Sequence, residues 1–103
     1  MAQFDVYHTS IVGTPYLVDV QSDLLSLLET RMVIPLTPIL KRGVKSPLGR
    51  LTPVIEVFGS EYLLNTPKMA AVFAGELTSP VANVGAANRQ QIVGALDFLI
   101  QGF

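Results

Sequence analysis

Hydrophobic positions recur with two different periods along the chain. Up to about residue 75 they come in short β-type runs, separated by turn residues every ten or so positions, and from about Asn88 to Ile100 the period becomes helical. The first run, Gln3 to His8, alternates, with Gln3 and Asp5 on one side and Phe4 and Val6 on the other. Gly13-Thr14-Pro15 supplies turn chemistry before a second run from Tyr16 to Val20. A third, Arg31-Met32-Val33-Ile34-Pro35-Leu36, is expected to stop at Pro35, which has no N–H for a ladder and so marks an edge or a strand end. Residues 54–58 and 61–64 flank Gly59-Ser60, and glycine at the first central position predicts a type II′ hairpin turn. A further strand is expected within Met69 to Gly75.

The terminal helix sorts its side chains into two stripes. Ile92, Val93, Leu96, Leu99, Ile100 and Phe103 should face a core or a partner, and Gln90, Gly94, Asp97 and Gln101 water or a target. The sequence then closes on Gly102 and an aromatic Phe103, where most termini are polar.

Composition adds an expectation about assembly. The 103 residues suit one domain, 1–103. They are 50% hydrophobic and only 15% charged, against about 25% charged in typical soluble domains. So small a domain cannot hide that much apolar surface within itself, which predicts a homodimer with a self-complementary interface. A net charge of −1 gives little attraction to a phosphate backbone, so direct nucleic-acid binding is not expected. The absence of cysteine removes disulfides, thiolate zinc sites and cysteine nucleophiles, and fits a reducing compartment. Met1-Ala2-Gln3-Phe4-Asp5 shows no basic-then-apolar leader, and no apolar run reaches the roughly 18 residues of a membrane span. The expectation is cytoplasmic, with no membrane association.

Candidate chemistry is thin. His8 is the sole histidine and has neither a second histidine nor a cysteine to share a metal. A Ser–His–Asp set can be drawn from Ser10 or Ser22, His8 and Asp19, but no nucleophile-elbow motif accompanies it, and His8 reads as a surface or strand-end residue. Asp19 and Asp23 read as carboxylates capping a strand end and turn, rather than as an acid–base pair. Lys41 to Arg50 carries four positive charges and no negative one, on a Gly- and Pro-containing loop. It is either a solvated loop or an electrostatic landing site for an acidic partner. No metal, nucleotide or coenzyme is expected, and no catalytic residue.

Three blocks together carry a resemblance. Gln3-Phe4-Asp5-Val6-Tyr7, then Val18-Asp19-Val20-Gln21-Ser22-Asp23 with Arg31-Met32-Val33-Ile34-Pro35-Leu36, and finally a helix closing on Gly102 before an apolar last residue, resemble the CcdB toxins of bacterial toxin–antitoxin modules. The resemblance covers essentially the whole chain. It implies a mainly β fold with one C-terminal helix: an SH3-like barrel of a twisted antiparallel sheet and a small second sheet, assembled as a two-fold dimer. It also implies a non-enzymatic toxin that grips the A subunit of DNA gyrase in its cleaved-DNA state. A CcdA-like antitoxin, disordered until bound, would neutralise it. The gyrase contacts so implied fall on Leu24, Leu25, Asp97, Gln101, Gly102 and Phe103. The antitoxin contacts fall on the first loop, Thr9, Ser10, Ile11, Val12, Gly13 and Thr14.

Two departures from the family bear on function. Gln101 stands where the well-known members have Trp, whose stacking on an arginine is worth about 0.5–2 kcal/mol beyond area burial, and Phe103 replaces a smaller aliphatic residue. The Thr9–Thr14 loop is uncharged, whereas known members are charged there, which implies a different antitoxin. Two other functions therefore stay open. One is a CcdB-fold protein that has lost gyrase poisoning and persists as an antitoxin-binding partner. The other is a MazF-like endoribonuclease, for which Arg31, Arg89 and His8 are the candidate residues.

Overall fold

The order of strands explains how so few residues enclose a core. In the computed structural model, which describes residues 2–39 and 49–102, seven strands join in one antiparallel sheet: β1 (Asp5–His8), β2 (Tyr16–Asp19), β3 (Thr30–Pro38), β4 (Val54–Val57), β5 (Ser60–Leu64), β6 (Ala70–Phe73) and β7 (Ala82–Asn83). The main path is β4-β5-β3-β2-β1-β7, with β6 paired to β3 off that path. The long strand β3 therefore has two neighbours along one edge. Its first half pairs with β6, Arg31 opposite Val72, and its second half with β5, Leu36 opposite Leu64. The small second sheet expected from the sequence is therefore not separate: the β4–β5 hairpin continues the one sheet through β3. The result is a mostly β, curled, half-barrel sheet with one C-terminal helix, α1 (Gly85–Gln101).

Three local expectations change. β3 does not stop at Pro35 but continues to Pro38. The Pro35 carbonyl accepts from Asn65 N at 2.9 Å. Because a strand residue's N–H and C=O share one side, the missing Pro35 donor faces the break between β5 and β6, where no ladder partner is lost. The β4–β5 turn is also displaced by one residue. Val57 pairs with Ser60, so Phe58 and Gly59 are the central residues, at φ 51° and 80°. Two positive φ values fit a type I′ turn, not the expected II′. Helix α1 starts three residues before the expected Asn88, and the two-residue β7 ahead of it has no counterpart in the periodicity.

The pleat puts Val6, Val18, Ile34, Leu36, Ile55, Val57 and Leu64 on the concave face, where Ile92 and Ala95 of α1 complete the core. The first turn of α1 sits tightly on the sheet. A Cβ on Gly85 would meet Phe4 Cδ2 at 2.9 Å and Asn83 Oδ1 at 3.0 Å, so only glycine fits without a shift. Asn83 Oδ1 accepts from Gly85 N at 2.9 Å. Phe4 holds a left-handed φ of 70°, fixed from both sides by its N–H on Asp19 O and its C=O under Val84 N.

Candidate functional site

The convex face of the sheet holds polar groups that the core face does not. Tyr7, Asp19 and Arg31 are buried there, with Asp5 nearly so. Arg31 Nε donates to Asp19 Oδ2 at 2.7 Å, and its Nη2 reaches Gln21 O at 3.4 Å. Asp19 Oδ1 accepts from Gln21 N at 3.0 Å. Among the described residues, Arg31 Nη1 and Tyr7 Oη meet no group in hydrogen-bond geometry. Burial first, then the negative charges of Asp5 and Asp19, push the Tyr7 phenol above its usual pKa. The Asp5 carboxylate also accepts from Ala2 N and Asn83 Nδ2, at 2.9 and 3.0 Å. A buried ion pair of this kind fixes geometry more than it stabilises the fold.

That pair underlies the loop 21–29. Every residue from Asp23 to Glu29 is exposed, and the loop presents Leu24 (93% exposed), Leu25, Leu27 (98%) and Leu28 to solvent. A 3₁₀ turn at Asp23–Leu25 is capped by Ser22, whose Oγ accepts from Leu24 N. Asp23 Oδ1 accepts from Gln3 N at 2.7 Å. The far end is tied to the sheet by Ala74 N donating to Glu29 O at 2.8 Å. Asp19 thus holds the strand end through Gln21 N and Arg31, while Ser22 rather than a carboxylate caps the turn and Asp23 ties it to Gln3.

The helical residues lie elsewhere in the chain. Asp97, Gln101 and Gly102 are exposed, and Gly102 takes a left-handed φ of 79° with its N–H on Phe98 O. Phe103 falls outside the described residues, as does the basic segment except for Gly49 and Arg50; Arg50 places its guanidinium 5.3 Å over the Phe98 ring. Of the stripe expected to be covered, Ile92 is buried and Leu96 half-buried, while Val93, Leu99 and Ile100 remain exposed in the single chain. Gln3 connects loop to helix: besides holding Asp23, its Oε1 accepts from Arg89 Nη1 at 3.5 Å. Gln101 lies twelve residues past Arg89, about 18 Å along the axis.

The first loop forms a separate feature. Thr14 N donates to Ile11 O across a turn with Gly13 at φ 79°, and Val12 stands at its tip, 99% exposed. Thr9, Ser10 and Ile11, with His8, Leu17 and Leu77, line an open groove of about 580 Å³.

Among the described residues, the groups named for the enzymatic alternatives lie apart. His8 packs on the Tyr16 ring at 5.2 Å, while Asp19 sits at the other end of β2, bound to Arg31. Ser22 caps its own turn. The three ribonuclease candidates are separately engaged, since Arg31 is in the buried pair and Arg89 lies 5.5 Å over the Phe4 ring. Sequence reasoning missed Gln21, Gln3, Leu27 and Leu28. For the Arg31–Asp19 pair a signal existed: opposite charges, each inside an otherwise apolar strand block. No helix among the described residues is long and apolar enough to cross a membrane.

The model of the family described as CcdB protein matches residues 3–102. No curated protein matches the chain.

Proposed function

The chain belongs to the CcdB family of toxin–antitoxin toxins, and we propose from that premise that it poisons DNA gyrase by binding the A subunit and holding the cleaved-DNA complex. The observation that carries this reading is the loop 21–29. It holds Leu24 and Leu25 in water on a frame of hydrogen bonds, at the positions where the family resemblance puts target contacts. Exposed leucines so framed are a ready binding surface, because docking buries them without first uncovering them. Asp97, Gln101, Gly102 and Phe103 supply the second half. The uncovered Val93, Leu99 and Ile100 favour a two-fold homodimer. The protein on this reading is a binder and not an enzyme, acts in the cytoplasm, and needs no cofactor. The groove beside Thr9–Thr14, lined by Ile11, Leu17 and Leu77 and also by Glu76, is the proposed seat of a CcdA-like antitoxin.

Gln101 favours a second reading, an antitoxin-binding member without gyrase activity, because glutamine hydrogen-bonds but cannot stack on a target arginine. A gyrase-mediated DNA cleavage assay with purified protein separates the two. Accumulation of protein-linked cleaved DNA is expected. Unchanged cleavage, with retained binding to the antitoxin, would replace the first reading by the second.

A further inference from the structure

The end of the β2–β3 ladder is opened by two glutamines. Val18 pairs with Ile34, so Val20 stands opposite Met32, and Val20 N donates to Met32 O at 2.9 Å. A regular antiparallel pair of this kind would return the bond from Met32 N to Val20 O. Instead, Met32 N donates to Gln21 Oε1 at 3.2 Å, and Val20 O accepts from Gln3 Nε2 at 3.3 Å. The Gln21 amide is thereby fixed against β3 by its oxygen. Its nitrogen is left to point outward, and Nε2 donates to Leu25 O at 3.1 Å. The Gln21 backbone is fixed as well, its N–H on Asp19 Oδ1 and its C=O under Arg31 Nη2. No side chain from Asp23 to Glu29 is fully buried, and only Leu25 and Leu28 among its leucines are half covered, so hydrogen bonds carry much of the loop's hold.

Resting on the reading of Leu24 and Leu25 as target contacts, we infer that Gln21 is the positioning residue of the leucine loop. It carries the fixed geometry of the buried Arg31–Asp19 pair through one amide to the carbonyl of Leu25, and so keeps the leucines preformed for their partner. Leu25 O also accepts from Leu28 N at 3.1 Å, which makes this carbonyl the joint between the two leucine pairs. Ordering a free loop on binding lowers affinity, and a loop ordered beforehand avoids that loss.

Gln21→Glu tests this directly. It keeps an acceptor for Met32 N but sets a carboxylate oxygen against Leu25 O. Gln21→Met removes both bonds without adding charge, and the same direction is expected from it should the charged variant fold poorly. Amide exchange at Leu25, Ser26 and Leu28 should rise about tenfold, and affinity for a gyrase A fragment should fall about five- to tenfold, the scale of one hydrogen bond. In a Leu24→Ser/Leu25→Ser background the same change should alter affinity by less than about twofold, because a residue acting through those leucines is coupled to them. A merely structural role would add its loss in full, which would overturn the inference. Exchange and affinity within about twofold of wild type in both Gln21 variants would overturn it too. If the leucine substitutions leave gyrase affinity unchanged, the target reading fails, and the exchange measurement alone then decides whether Gln21 orders the loop.

Discussion

The loop 21–29 and helix α1 carry the two halves of the proposed target surface, and different forces hold them. The helix is fixed by burial: Ile92 and Ala95 enter the core, and Gly85 lies against Phe4 with no room for a methyl group. No residue of the loop from Asp23 to Glu29 is fully buried, Leu25 and Leu28 staying 49% and 51% exposed, and the loop is tied by hydrogen bonds with Gln3, Gln21, Ser22 and Ala74. An aliphatic residue therefore means opposite things in the two places. In the helix it locates the core, whereas in the loop it is surface kept available by polar neighbours. Apolar surface left in water costs the free protein nothing extra when the backbone beneath it is already ordered, and it remains usable for binding.

Substitutions can break this contrast or sharpen it. Asp19→Ala should have the largest effect, about 3–5 kcal/mol of unfolding free energy, because it strands the buried Arg31 charge and releases Gln21 N together. Denaturant titration would show it, and a loss below about 1 kcal/mol would mean that the loop's frame does not depend on the pair. Ile92→Ala should cost about 2–4 kcal/mol through lost burial and the cavity left behind. Leu24→Ser and Leu25→Ser should each stay within about 0.5 kcal/mol of wild type in the same titration. If either leucine change costs as much as Ile92→Ala, the loop is packed rather than framed, and the comparison fails.

Much of the fold was legible from local pattern, and the failures share a cause. The strand runs and the change of period at the terminal helix could be read because each follows one element's own geometry. Pro35 inside β3 could not, since its tolerance depends on the distant break between β5 and β6. The hairpin was located but its turn was misread, because Phe58 accepts a left-handed φ that local rules reserve for smaller residues. The early start of α1 rests on Asn83 and Phe4, whereas Gly85-Ala86-Ala87 carries no periodic signal. For the site, Leu24 and Leu25 came from the family block and not from periodicity, which is silent on a 3₁₀ turn. Gln21 was invisible because a glutamine after a strand has no local signature of what its amide will reach.

The central claim, that the framed leucines grip gyrase, is tested most directly by calorimetric titration of a gyrase A fragment. The wild-type protein and its Leu24→Ser/Leu25→Ser variant would be compared at equal, independently measured stability. Tight binding is expected of the wild type, and an affinity lower by about a hundredfold of the variant, the scale of two lost leucine contacts. Equal affinity in the two proteins, or no binding by the wild type, would contradict it.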